Sequence, residues 1–345
     1  MRDVIGQRRL LEKLWAQAIR GDVAQAYELS GPRSIGKHTV ALRIAQTLNC
    51  SAEPRVAGGC GTCLSCRKIE NGTHPDVLMV TRLTDLEKRN DLKNITIEQI
   101  RDMQRDIALR PLEGRRRIVI IDDAAELHEH AEVALLKTLE EPPSHAVLLL
   151  VTPTPSALLE TIRSRLQPIP FRLVARADIE QALVARFGAA AAKFAAIAAG
   201  RPGVAITLAS DNAALAARAT LEREFYTLVS SRLTERFAWA ADLAESERDT
   251  QKRNDLISTR LVAWGELVRD AAVAGAGAPE RAMRPERSAQ SAQLAATVPV
   301  KDLVDIAQTF ERWRRDVAET TVSARMLLEL LALRLPHRPE VAVSA

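Results

Sequence analysis

Aromatic residues are scarce in this sequence: tryptophan, tyrosine and phenylalanine together make up 3% of 345 residues. A chain so poor in rings lacks the stacking platforms on which single-stranded nucleic acid is held. With Ala, Leu and Arg abundant, the balance favours helices over aromatic-rich sheets. Long apolar runs are missing too. None exceeds the six residues of Ala146–Val151, against the roughly 20 needed to cross a bilayer, so no membrane contact is expected. The stretch MRDVIGQRRLLEKLW has no apolar core of the kind a secretory signal needs, and a cytoplasmic protein is expected. Nor does one sign of charge dominate. Net charge is +4, with 25 basic and 22 acidic residues in 1–172 against 23 and 22 in 173–345. A dedicated DNA reader would show a concentrated basic footprint. The run Arg115-Arg116-Arg117 precedes an apolar strand and reads as its solvated start rather than as a DNA contact.

Cysteine is absent except between residues 50 and 66, where Cys50, Cys60, Cys63 and Cys66 follow C-x9-C-x2-C-x2-C. Free buried cysteines would scatter along the chain, and disulfides are not expected in a cytoplasmic protein. Two overlapping C-x2-C turns suit tetrahedral zinc, and Gly58, Gly59 and Gly61 allow the sharp backbone turns such a knuckle requires. Four protein ligands would close the site, making it structural. His74 lies nearby, but a surface or turn histidine before Pro75 fits better than a fifth ligand.

What is present is otherwise ordinary. Hydrophobic residues make up 47% and charged ones 27%, enough for a buried core, and the length suits two or three domains. Helical spacing of Leu10, Leu11, Leu14 and Ala18 predicts a helix from Ile5 to about Arg20. Strands are predicted at 26–29, 77–80, 116–123 and 145–152, and helices at 37–49, 96–109 (capped by Thr96), 131–141 and 156–165. Pro142-Pro143 stops the third of these helices. Apolar strands alternating with helices indicate a parallel, doubly wound sheet. After Phe171 the strand signal disappears. Short helices around GRPG (200–203) lead to a long helical region from about 212 to 335, interrupted at 275–287.

The stretch GPRSIGKHT, Gly31 to Thr39, follows the first strand and opens a helix, as a phosphate-binding loop requires. Gly31, Gly36 and Lys37 meet the pattern G-x-x-x-x-G-K-[ST], but His38 stands where a hydroxyl should hold Mg²⁺. Thr39 is one residue late, about 100° further round the helix. Downstream, IVIIDD (118–123) is the kind of apolar strand that delivers a magnesium-holding acid, placing Asp122 there. Asp123 follows where many ATPases carry a glutamate; its side chain is one methylene shorter.

These motifs together resemble the AAA+ clamp-loader subunits of bacterial DNA polymerase III, and among them the delta-prime kind. VIGQ (4–7), GPRSIGKHT, the four cysteines, HPDV (74–77), ITIEQIR (95–101), IVIIDDAAEL (118–127), ALLKTLEEPP (134–143) and Ser164-Arg165 occur in family order over about 170 residues. GRPG resembles the family's second-domain motif, whereas the C-terminal half matches only in length and helical character. The resemblance implies an α/β P-loop AAA+ domain at 1–172, a parallel sheet with a zinc-binding insertion at 50–66. A small helical lid at 173–210 and an all-α C-terminal collar at 211–345 would follow. It implies that Val4 and Ile5 lie near an adenine site, that Gly31–Lys37 surround phosphates, and that Thr152 occupies the sensor-1 position. Arg165 corresponds to an arginine finger directed at a neighbouring subunit's ATP; read without the other motifs, it is better taken as an exposed helix-end arginine bonding local carbonyls.

The departures from the family pattern agree with one another. His38 replaces Ser/Thr, Asp123 replaces Glu, and Gly203 stands where motor subunits carry a sensor-2 arginine. Leu166 replaces a family cysteine at a packing position. Imidazole is a poor ligand for Mg²⁺, so efficient hydrolysis is not expected, while Lys37 and the loop amides leave ATP binding open. The expected role is a stator that joins gamma/tau motor subunits and delta in loading the sliding clamp onto primed DNA at the nucleoid. An active gamma/tau-type ATPase and a stand-alone zinc-containing DNA-binding protein are the alternatives.

Overall fold

The computed structural model describes residues 4–82, 94–284, 287–319 and 323–336. These form two compact units, one made of residues up to 182 with 200–204, the other of 183–199 with the residues from 205 onward. The first unit is built on five parallel strands: β1 (Ala26–Ser30), β2 (Val77–Val80), β3 (Arg117–Ile121), β4 (Ala146–Thr152) and β5 (Gln167–Pro170). Their order across the sheet is β2-β3-β4-β1-β5.

Both faces are covered, which is why β3 is apolar from Ile118 to Ile121 and β4 from Ala146 to Val151 rather than alternating. Val119, Ile121, Leu148 and Leu150 pack with Ile100, Met103 and Ile107 of α4 (Ile97–Ala108) and Leu135 and Leu139 of α5 (Glu129–Glu140). The intervening Ile118, Ile120, Val147 and Leu149 are equally buried. On β1 and β4 lies α2 (Lys37–Asn49), itself packed by α1 (Arg8–Arg20) and α3 (Leu64–Glu70). The Thr96 cap of α4 is a full capping box: Gln99 N donates to Thr96 Oγ1 at 3.4 Å and Thr96 N to Gln99 Oε1 at 2.9 Å.

Two expectations change. The strand signal does not end with four strands, because Gln167–Pro170 pairs with β1 as a fifth. Its two prolines disguise it, yet they are tolerated because β5 is the outermost strand. The helix predicted over 156–165 is instead a 3₁₀ turn at Pro155–Ala157 followed by the single helical turn α6 (Glu160–Arg163).

The second unit is all helical, as expected. Beyond α7 (Arg176–Phe187), α8 (Phe194–Ile197) and α9 (Pro202–Ser210) come α10 (Asn212–Ser230), α11 (Leu233–Ser246) and α12 (Thr250–Gly275). Then follow α13 (Ser288–Thr297), α14 (Val300–Glu319) and α15 (Ala324–Arg334). Its core gathers Phe225, Trp264, Phe310, Leu328 and Leu331, so the few aromatic residues are concentrated where packing uses them. Buried Arg236 donates to Leu228 O and Val229 O at the end of α10, and to Ala332 O, Leu335 O and Pro336 O at the end of α15. Among the described residues no helix is long and apolar enough to cross a membrane.

Candidate nucleotide and metal sites

The loop after β1 has the bends that its glycines predict. Gly31 has φ 146°, and a Cβ there would fall 2.5 Å from Phe171 O, so only glycine fits. Gly36, at φ 102°, leads into α2. Lys37 does not project into open space. Its Nζ donates to the loop's own carbonyls, Gly31 O at 2.6 Å and Pro32 O at 2.9 Å. Burial pulls its pKa down to about 8 against the opposing pull of Asp123 and Asp122.

His38 Nδ1, at the start of α2, lies 2.9 Å from Asp122 Oδ2, just beyond the end of β3. The two positions that a magnesium ion would bridge therefore face each other directly. Burial pushes the Asp122 carboxyl up, but His38, the Asp123 amide and Lys37 outweigh it and hold it below the usual range. Asp123 takes a left-handed backbone, φ 57°, and its Oδ2 accepts from Arg33 of the glycine loop at 2.9 Å. Arg33 also lies 3.9 Å from Glu126, which pairs with Arg82 at 3.3 Å. Arg33, His38, Arg82, Asp122, Asp123 and Glu126 thus each face a counterpart within the chain. Arg33 and Glu126 carried no sequence signal beyond their charge.

The remaining positions fall around this loop. Thr152 is buried in register with Ser30, and its hydroxyl donates to Thr154 O at 2.9 Å. Thr39 is half-buried on the first turn of α2. Val4 and Ile5 are half-buried ahead of Gly6, which sits against Val174. Gln7 bonds the backbone of Arg172 on both sides, donating to its carbonyl and accepting from its amide. Gly203 N donates to Ser34 O at 2.8 Å, and a Cβ on Gly203 would come within 2.8 Å of that same oxygen. Arg165 is partly exposed beyond α6, bonded to Thr161 O at 2.7 Å and to Glu140 Oε1 at 2.8 Å.

The four cysteines converge as the spacing predicts. Their sulfurs all lie within 4.8 Å of one another, with Cys50–Cys63 and Cys60–Cys66 at 4.0 Å. Four ligands 2.3 Å from a tetrahedral centre stand ~3.8 Å apart, so the cage is the right size for a metal ion. Backbone amides point at the sulfurs: Cys63 N to Cys60 Sγ at 3.3 Å, Cys66 N to Cys63 Sγ at 3.4 Å and Ala52 N to Cys50 Sγ at 3.4 Å. Such bonds favour the thiolate form that binds metal. The Thr62 hydroxyl and the Cys63 and Thr62 amides draw Cys60 down to about 5, whereas burial pushes Cys50 and Cys66 up. Gly59 is forced: a Cβ there would lie 2.6 Å from Gln46 Cβ and 2.9 Å from Cys66 Sγ.

His74 is a turn residue, its carbonyl accepting from Val77 N at 3.1 Å, but it does not lie on the surface. It is buried, with Nε2 3.1 Å from Ser65 Oγ and Nδ1 accepting from Asp76 N at 3.1 Å. Asp76 is fully buried and takes three consecutive amides, Leu112 N at 2.7 Å, Glu113 N at 2.8 Å and Gly114 N at 2.6 Å. Asn49 Oδ1 accepts from Arg115 N at 2.9 Å and Arg116 N at 3.0 Å. The cysteine segment and the 112–116 turn are therefore fixed by buried polar groups.

Residues 6–175 match the family described as DNA polymerase III, delta subunit. That stretch is similar to clamp-loader subunits, the delta-prime kind among them. The delta' subunit of Pseudomonas aeruginosa is 39% identical over 155 residues, 45% of this chain and 45% of that protein. The delta' subunit of Bacillus subtilis is 32% identical over 181 residues, 52% of this chain and 51% of that protein. The chain is also similar to subunit tau of Escherichia coli, 37% identical over 179 residues, 52% of this chain and 26% of that protein. The chain thus spans about half, or less, of the length of the relatives it matches. Its five parallel strands and glycine loop make it an α/β P-loop fold, followed by an all-helical region.

Proposed function

We propose that this chain is a stator of a DNA polymerase III clamp loader, a subunit that completes a neighbour's ATP site and does not run its own. The single observation that carries this reading is the 2.9 Å approach of His38 Nδ1 to Asp122 Oδ2. A motor subunit needs an oxygen ligand from the helix and an acid from the strand to share one magnesium ion. Here an imidazole faces the acid, Arg33 takes up Asp123, and Ser34 fills the space into which a side chain at position 203 would grow.

The three-part organisation is a nucleotide-site domain at 1–172, a lid at 173–210 and a helical collar at 211–345, whose last residues lie outside the described chain. The collar joins gamma/tau-type motor subunits and a delta-type subunit, and the assembly places the sliding clamp on primed DNA in the cytoplasm, at the nucleoid. Arg165 is the arginine finger presented to the neighbouring nucleotide, where such a charge is worth ~10³–10⁵ in rate. The four cysteines hold zinc, which braces the 50–66 segment and takes no part in chemistry.

The 37% identity to a tau subunit favours a second reading, an active gamma/tau-type ATPase. A steady-state ATPase assay on the purified chain separates the two. The stator is expected to turn over far more slowly than once per second, and Lys37→Ala should change little. Turnover of about one per second, abolished by Lys37→Ala, would sink the stator reading.

A further inference from the structure

Arg165 is gripped by its own subunit, and Glu140 is one of the residues that hold it. The guanidinium has five N–H donors. NH1 gives two bonds, to Thr161 O at 2.7 Å and Ser164 Oγ at 3.3 Å, and NH2 gives one, to Glu140 Oε1 at 2.8 Å. Nε–H and one NH2 proton remain to be offered outward. Arg165 is 35% exposed and Glu140 52%, so the pair lies open to a neighbouring molecule.

Glu140 is well placed to set that geometry. It is the last residue of α5, whose end is fixed by Pro142-Pro143 and whose Leu135 and Leu139 are anchored in the sheet core. The same helix holds the opposite end of α6, because Glu132 Oε1 accepts from Leu159 N at 3.4 Å. The single turn of α6 is thereby held at both ends by one rigid helix. An arginine with four rotatable side-chain bonds, left alone just beyond a one-turn helix, would spend most of its time pointing elsewhere. The Glu140 carboxylate and the Thr161 carbonyl together reduce those orientations to one.

We propose that Glu140 is a positioning residue for Arg165, orienting the guanidinium so that its two free donors meet the phosphates of a nucleotide held by the adjacent subunit. This rests on the reading of Arg165 as a finger. Glu140 touches no substrate. It acts on the fraction of time the finger is aimed, and so on the turnover number rather than on how tightly the neighbour binds ATP.

The test uses the full chain assembled with its gamma/tau-type and delta-type partners, comparing wild type, Arg165→Ala, Glu140→Ala, Glu140→Gln and the double variant Arg165→Ala/Glu140→Ala. ATP hydrolysis is measured with clamp and primed DNA present. Glu140→Ala should lower kcat about three- to tenfold with KM for ATP and subunit stoichiometry unchanged. Glu140→Gln, which keeps an acceptor oxygen, should retain more than half of wild-type kcat. In the Arg165→Ala background the alanine at 140 should have no further effect. If Arg165→Ala slows the assembly but Glu140→Ala does not, the positioning role is wrong and the finger stands. An equal loss from Glu140→Ala in both backgrounds also overturns the positioning role. Normal hydrolysis by assembled Arg165→Ala overturns the finger reading and this inference with it.

Discussion

The amide of Gly203 donates to the carbonyl of Ser34 at 2.8 Å, latching the start of α9 onto the glycine loop. The position at which a motor subunit would carry its sensor arginine is therefore closed by backbone. Gly203→Arg should fail to create a sensor, since its Cβ would meet Ser34 O at 2.8 Å and the main chain would have to move. Overpacking of this kind costs about 1–3 kcal/mol. Urea unfolding should show a lower midpoint, with no gain in ATP turnover.

Metal removal should act locally. A freshly folded sample should contain one zinc per chain, and stripping it with a chelator should leave the parallel sheet intact while exposing the four thiols to modification. Cys66→Ser, which removes a buried ligand, should abolish tight metal retention. Less than half an equivalent by elemental analysis would count against the site.

Asp76 makes stability depend on acid in a defined direction. Burial pushes its carboxyl up, but three backbone amides and Arg117 outweigh that and hold it below the usual value. A depressed native pKa means stability that is present above the unfolded pKa of ~3.9 and is lost as pH falls through the native value. Asp76→Ala should cost about 2–4 kcal/mol at pH 7, and the gap from wild type should shrink below about pH 4. Thermal melts across that range read the difference.

Arg236 should prove one of the costliest positions in the helical unit. It is buried and its five bonds go to main-chain carbonyls that end two helices. Burial draws its pKa down, although an arginine stays charged throughout. Arg236→Met should destabilise by about 3 kcal/mol. Lysine should not rescue it, because one ammonium cannot reach carbonyls spread over a guanidinium fork. Chemical denaturation of the full chain measures both.

Much of the site was legible from the sequence because its parts are local. A strand, a glycine loop and a helix are contiguous in GPRSIGKHT, and the four cysteines fall within 17 residues; spacing alone brings such groups together. The pairs that close the site are not local. His38 and Asp122, Arg33 and Asp123, and Asn49 and Arg116 are joined only by the order of strands in the sheet. Asp76 read as part of a motif and turned out to pin a turn nearly 40 residues away. The fifth strand was hidden by its own chemistry, since two prolines in four residues argue against a strand unless its place at the edge is known.

Those prolines have a further consequence. Phe171 N reaches back to Ser30 O at 2.7 Å, so the amides of odd-numbered residues here point towards β1. By alternation, positions 168 and 170 would present theirs to the free side, and both are proline. An approaching strand finds no donor at either place. That border of the sheet therefore offers little purchase for growth by a further strand.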